Sequence, residues 1–206
     1  MKKISIIFLS ITILTGCKNG DNTSVVNANT DTSATQSVTK NNDAIHTESI
    51  FTLNDTFQTQ HANNFVLSSL AGKPTVVGMI FTNCGFACPR LTSDMKNIAE
   101  KLKANRDKVN FVLVSFDTER DTPAQLQKFQ KQMELDNDWI LLHGNDQTVR
   151  TLSVLLNVQF EKDAEGNFSH SNLITVLDKN GVLKFQKEGL EGDHTETLAK
   201  INELIN

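Results

Sequence analysis

Apolar and polar positions fall into periodic blocks from Phe51 onward. Thr75 to Thr82 reads TVVGMIFT, a continuous branched run that predicts a strand buried on both faces. Leu91, Met95, Ile98 and Leu102 then recur at helical spacing, predicting a helix from about Pro89 to Ala104 with Pro89 in its first turn. Val109 to Phe116 is a second apolar strand. Leu126, Phe129 and Met133 mark the next helix, with Asp121 or Thr122 as N-cap and Pro123 just inside. Trp139 to Leu142 predicts a short strand, and Asn145 to Leu156 a third helix capped by Asn145 or Asp146. Leu173 to Leu177 and Val182 to Gln186 are two strands joined by Asp178-Lys-Asn-Gly181, a hairpin turn. Asp193 to Ile205 closes the chain as a helix, with Asp193 and Glu196 at capping-box spacing.

Strand and helix alternate, then a hairpin and a last helix follow. That order predicts an α/β fold, a thioredoxin-like sandwich with a central mixed sheet flanked by helices, over residues 49–206.

The first residues follow a different pattern. Met1-Lys2-Lys3 precedes the apolar stretch Ile4 to Leu14, which is too short to span a bilayer but suits the core of a secretory signal. It runs into Leu14-Thr15-Gly16-Cys17, which resembles a bacterial lipobox. Residues 1–16 are expected to be a lipoprotein signal peptide, with Cys17 lipidated as the first mature residue. Residues 17–48 continue in Asn, Thr, Ser and Asp without aromatics, a composition that cannot bury enough apolar surface to offset its ordering entropy. They are expected to form a flexible polar tether. The protein is therefore expected to be exported and lipid-anchored to the bacterial cell membrane, its domain on the periplasmic or extracytoplasmic side.

Composition adds an exclusion. The formal net charge is -4 and Lys and Arg form no dense run, so nothing points to nucleic acid. The chain has 3 Cys. With Cys17 assigned to lipid, only Cys84 and Cys88 remain as thiols, in a compartment where disulfides form.

Cys84 follows a strand and Cys88 opens a helix, in FTNCGFACPR. An i, i+4 pair on a helical turn projects to one side, within reach of a disulfide, and the helix N-terminus favours a thiolate. A bridge closing so short a loop stabilises little. Electron transfer and metal binding both stay open, and a third residue would separate them: two thiolates and an imidazole form a soft three-donor set suited to Cu(I), whereas zinc normally takes four ligands. The histidines are His46, His61, His143, His170 and His194. His46 falls in the tether, His61 in a polar loop and His194 in the turn before the last helix, and these three are expected to be solvent-exposed bystanders. His143 follows a strand. His170, in Phe168-Ser-His-Ser-Asn172, stands before the strand after the third helix, where a thioredoxin-like sheet brings a loop beside the cysteines. Thioredoxins usually carry a cis-proline there, but the 3 Pro are Pro74, Pro89 and Pro123, all upstream.

With Cys84-Gly-Phe-Ala-Cys88-Pro89, Val114-Ser-Phe-Asp-Thr-Glu-Arg-Asp-Thr-Pro123, and His170-Ser171 before a strand, the chain resembles the Sco/SenC family over most of residues 50–206. These are thioredoxin-fold proteins tethered to membranes and associated with copper delivery to cytochrome c oxidase. The resemblance implies copper ligands at Cys84, Cys88 and His170. Asp117 to Pro123 looks like the family's characteristic loop, and turning a strand into a capped helix is role enough for it. Two departures stand out. Gly85-Phe86-Ala87 lies where Pro-Asp or similar is common, and Ser169 where an Asp often precedes the histidine, but no ligand is lost.

The resemblance thus implies a membrane-tethered copper chaperone that holds Cu(I), and in some states Cu(II), for the CuA centre of cytochrome c oxidase subunit II or another cuproprotein. A thiol reductant or a copper donor protein is a further expected partner. Two alternatives use the same dithiol. In one, Cys84 and Cys88 act catalytically, as a thiol–disulfide reductase that keeps the acceptor cysteines reduced. In the other, a lipoprotein senses copper or redox state.

Overall fold

The structure is a computed structural model that describes residues 48–188, 190 and 192–206. The expected signal peptide (1–16), Cys17, His46 and all but the last residue of the expected tether (17–48) lie outside the described residues.

Among the described residues, nine strands and four α-helices follow the expected order, with two short hairpins added. The strands are β1 (Thr56–Thr59), β2 (Asn64–Val66), β3 (Thr75–Ile80), β4 (Asn110–Ser115), β5 (Trp139–His143), β6 (Phe160–Lys162), β7 (Phe168–His170), β8 (Leu173–Leu177) and β9 (Leu183–Glu188). The helices are α1 (Ala87–Leu102), α2 (Pro123–Gln132), α3 (Asp146–Leu155) and α4 (Thr195–Ile205). Seven strands share one mixed sheet in the order β2-β1-β5-β4-β3-β8-β9, while β6 and β7 form a separate hairpin. The β3, β4 and β5 strands are parallel, and β1, β2, β8 and β9 add antiparallel edges. The thioredoxin-like mixed sheet flanked by helices is therefore as the pattern predicts.

The β3 strand lies between β4 and β8, and all six of its residues are buried. Helix α1 lies close against it, because a Cβ on Gly78 would meet Met95 Sδ at 2.7 Å. Leu91, Met95, Ile98 and Leu102 all face inward from α1, as their spacing predicts. The other end of the sheet is closed by the turn Asp178–Gly181, where Gly181 takes φ +76°. Ser49 pairs with Val182 there, and its hydroxyl donates to Asn180 O at 2.5 Å.

Expected N-caps form at two helix starts. Thr122 accepts from Gln125 N at 3.4 Å, and Asn145 from Thr148 N at 2.9 Å. Three details differ. Helix α1 begins at Ala87, so Cys88 lies inside its first turn and Pro89 follows as its third residue. Proline is tolerated there because the first four helical N–H groups have no partner within the helix. The capping box expected of Asp193 and Glu196 does not form. Asp193 instead accepts from Thr195 N at 3.0 Å and Thr195 Oγ1 at 2.6 Å, leaving His194 at the N-cap position. The segment Phe160–His170, where the sequence pattern predicts no strand, folds into the β6–β7 hairpin.

Candidate metal site

At the C-terminal ends of β3 and β4, the chain makes the turn that separates strand from helix α1. Helix α1 has no side-chain oxygen at its N-cap, which is Phe86. The Cys84 sulfur occupies the capping place and accepts from Cys88 N at 3.4 Å. Cys88 Sγ, one turn on, accepts from Phe81 N at 3.4 Å. Both cysteines are free thiols.

The two sulfurs differ in surroundings. Cys84 is half-buried, whereas Cys88 is 0 % exposed. Burial alone would push the Cys84 thiol up, but the N–H groups of Cys88, Phe86 and Ala87 together with the Cys88 thiol hold it below its ordinary value. Burial pushes the Cys88 thiol far above the thiol range, against a downward pull from Phe81 N–H and with repulsion from Cys84 and Asp121. The pair therefore holds one acidic, accessible sulfur and one protonated, enclosed sulfur.

His170 ends β7 and brings its imidazole to the dithiol, with Nε2 lying 3.7 Å from Cys88 Sγ. Its other ring nitrogen is 3.1 Å from Ser171 O, which suits an Nδ1–H donor and leaves the Nε2 lone pair toward the sulfurs. The hairpin that carries it is docked by rings rather than by the sheet. Phe116 stacks on Phe160 at 5.0 Å and packs on Phe168 at 5.0 Å and on the His170 ring at 4.9 Å. Phe81 touches Phe168 at 5.1 Å and the His170 ring edge-on at 6.0 Å. Such pairs contribute about 0.5–1.5 kcal/mol each beyond their buried area.

The donor atoms of Cys84, Cys88 and His170 all lie within 4.8 Å of one another, the one such group among the described residues. Metal–sulfur and metal–nitrogen bonds of about 2.3 and 2.0 Å at a trigonal angle put the two donors about 3.7 Å apart, so this chain's donor set fits a single soft ion. A cleft of about 370 Å³ opens beside the ring, lined by Gln159, Phe160, Glu161, Ser169, Ser171 and Glu188. Between the cysteines Phe86 is 65 % exposed beneath the Arg90 guanidinium, 3.6 Å from its ring centroid.

The remaining histidines stay apart. His61 is exposed beside Gln127, and His143 ends β5 outside the group. His194 corrects the reading of an exposed bystander, being 3 % exposed with Nε2 3.3 Å from Asp94 Oδ1, at ion-pair distance though off the line of a hydrogen bond. Its place at the start of α4, packed on α1, buries it.

The loop from Asp117 to Pro123 does more than turn the chain. Asp121, expected as a candidate cap, points inward and is 0 % exposed. It accepts from Thr82 N at 2.8 Å, Thr82 Oγ1 at 2.5 Å and Ser115 Oγ at 2.6 Å. Arg120 pairs with the buried Asp117 carboxylate and donates from Nη2 to Gly166 O in the β6–β7 turn at 2.7 Å. Neither role shows in the sequence, because a DTERDTP stretch before a helix is already explained by capping.

Comparison with known proteins agrees with this architecture. Residues 27–206 match the SCO1/SenC family. The chain is similar to the SCO1 protein homolog of Bacillus subtilis, 40% identical over 93 residues, 45% of this chain and 48% of that protein, so the match spans about half the length of that curated relative. The fold is similar to a SCO1/SenC family lipoprotein from Bacillus anthracis, with TM-score 0.69 and 25% identity over 74% of this chain and 93% of that one. It is also similar to BsSco, described as a member of the Sco family of cytochrome c oxidase assembly proteins in which a disulfide switch was identified, with TM-score 0.65 and 26% identity over 74% and 91%. ScoI of Bradyrhizobium japonicum, solved with copper bound, shares the fold with TM-score 0.63 and 24% identity over 72% and 96%. A match over that much of the chain, joined to a thioredoxin-like sheet with this dithiol and imidazole, makes the protein a member of the SCO1/SenC family.

Proposed function

We propose that the protein is a membrane-tethered copper chaperone. It binds Cu(I) through Cys84, Cys88 and His170 and delivers it to the CuA centre of cytochrome c oxidase subunit II. The observation that carries this is the trio of soft donors within 4.8 Å, too few for a closed zinc site and well matched to a three-coordinate Cu(I). Copper bound to the Bradyrhizobium japonicum relative and the place of BsSco in the Sco family of cytochrome c oxidase assembly proteins support it. Cys84 ionises first, and the proton on Cys88 leaves as copper takes its sulfur. The half-buried Cys84 side stays open, so an acceptor thiolate or imidazole displaces the protein's ligands one at a time. Lipid on Cys17 and the polar segment to residue 48 hold the domain on the extracytoplasmic face, raising its effective concentration at a membrane-bound acceptor.

The test is to mix the copper-loaded protein with the reduced, copper-free CuA domain of subunit II. Copper leaving the chaperone and the CuA absorption appearing support the reading. No transfer, with Cu(I) affinity unchanged in His170→Ala, rejects it. Palmitate labelling that persists in Cys17→Ser rejects the anchor.

The inequality of the two thiols favours a second activity in the same site. The Cys84 thiolate attacks an acceptor disulfide and expels one acceptor thiolate, forming a mixed disulfide. Cys88 gives up its proton and attacks the Cys84 sulfur, expelling the second thiolate and leaving a Cys84–Cys88 disulfide. Two electrons pass to the acceptor, and an external thiol reductant restores the pair. A mixed disulfide trapped by Cys88→Ser with the oxidised acceptor supports this step. Its absence with that acceptor rejects it.

A further inference from the structure

The site is assembled from two pieces that share no strand pairing. Cys84 belongs to the β3–α1 loop and Cys88 to the first turn of α1, while His170 belongs to the β6–β7 hairpin, which stands outside the main sheet. One short segment touches both pieces. We infer that the loop after β4 is the positioning element of this site, with Asp121 holding the cysteine loop and Arg120 holding the histidine hairpin; this rests on the three-donor reading above.

The cysteine half is built on Thr82, two residues before Cys84. Asp121 takes both its N–H and its hydroxyl, while Gln125 Nε2 reaches the same hydroxyl at 3.1 Å. Phe81, the neighbouring residue, donates its N–H to Cys88 Sγ. Fixing Thr82 therefore fixes the peptide that aims at the buried sulfur. A buried carboxylate that accepts three hydrogen bonds is a rigid anchor, because charge-assisted bonds are short and about twice as strong as neutral ones.

The histidine half is built on Gly166. Arg120 spans from the Asp117 carboxylate to Gly166 O, and Arg120 also lies over Phe168, its guanidinium carbon 5.8 Å from the ring centroid. Lys162 adds a bond to Glu119 at 2.7 Å from the same hairpin to the same loop. The halves meet at Ser115, whose hydroxyl donates to Asp121 Oδ2 and accepts from Asp117 N at 3.0 Å.

Two variants separate this brace from general stability. In metal-free, reduced protein, Arg120→Ala is expected to raise amide hydrogen exchange in residues 160–170 by about tenfold while residues 81–88 keep their protection. Asp121→Asn is expected to do the reverse. For Cu(I), measured by competition with a chromophoric chelator, each variant should lose about 10–100-fold in affinity, as supporting residues around metal ligands do. The loss from Arg120→Ala should vanish in a His170→Ala background, while that from Asp121→Asn should persist. Uniform exchange changes in both regions, or an Arg120→Ala loss that survives without His170, would overturn the brace. If His170→Ala alone leaves affinity unchanged, the three-donor reading falls. The exchange patterns, which need no copper, then still decide the brace.

Discussion

Cys88 Sγ and His170 Nε2 are 82 residues apart in sequence and 3.7 Å apart in space. Neither residue reaches the other through the main sheet. Their meeting depends on the Phe81, Phe116, Phe160 and Phe168 cluster that seats a two-stranded hairpin over the end of β3 and β4.

Loss of that cluster should separate stability from binding. Phe116 is fully enclosed, and Phe116→Ala is expected to cost about 3–5 kcal/mol in urea unfolding. Phe168 is only partly buried and lies on the hairpin itself. Phe168→Ala should cost less stability and still weaken Cu(I) binding, because the imidazole loses its support. Equal stability losses in the two variants would contradict this division.

The thiols should react in a fixed order. Cys84 is half-buried and its thiol lies below its ordinary value, whereas Cys88 is enclosed and stays protonated. Iodoacetamide added to the reduced, metal-free protein at neutral pH should modify Cys84 at least about 100-fold faster than Cys88, since the thiolate is the reacting form. Peptide mass mapping over time reads the ratio directly.

Stability should fall on the alkaline side because of Cys88. The ordinary thiol value is 9.0 and the folded Cys88 value lies well above it. Above pH 9 the unfolded chain releases this proton while the folded chain keeps it, so folding weakens by up to about 1.4 kcal/mol per pH unit. Cys84 acts with the opposite sign. Its folded value is depressed, so its contribution is complete above 9.0 and is lost as pH falls through the folded value. Urea unfolding of reduced protein from pH 8 to 10.5, compared with Cys88→Ala, should show the alkaline slope only in the parent.

His194 should separate from His170 by function. His194→Asn removes a buried ring that faces Asp94 and is expected to lower the midpoint of thermal unfolding. Cu(I) affinity should not move. A loss of affinity as large as that of His170→Ala would mean the buried ring is coupled to the metal donors.

The sequence already carried the parts of this fold that rest on strong periodicity. The run at Thr75 and the turn at Asp178–Gly181 are legible because continuous branched residues and an Asn-Gly pair leave few alternatives. β1 and β2 escaped notice, being four and three residues long with a single fully buried side chain between them, Phe57. β6–β7 escaped in the same way. Its two strands are three residues each with one phenylalanine apiece, too short for their alternation to stand out from a loop. Of the candidate site, the two cysteines and His170 were legible from residue type and order. Asp121 and Arg120 were not, because a capping role explains the same letters, and only burial and long-range partners distinguish an anchor from a cap.

The pairing of Ser49 with Val182 has a topological result. Thr75, at the start of β3, pairs with Leu177 just before that turn, and the cysteine loop follows the other end of the same strand. Six residues of strand separate the two poles by about 20 Å. The chain thus enters this domain at Ser49, at the pole of β3 opposite the one that carries Cys84 and Cys88.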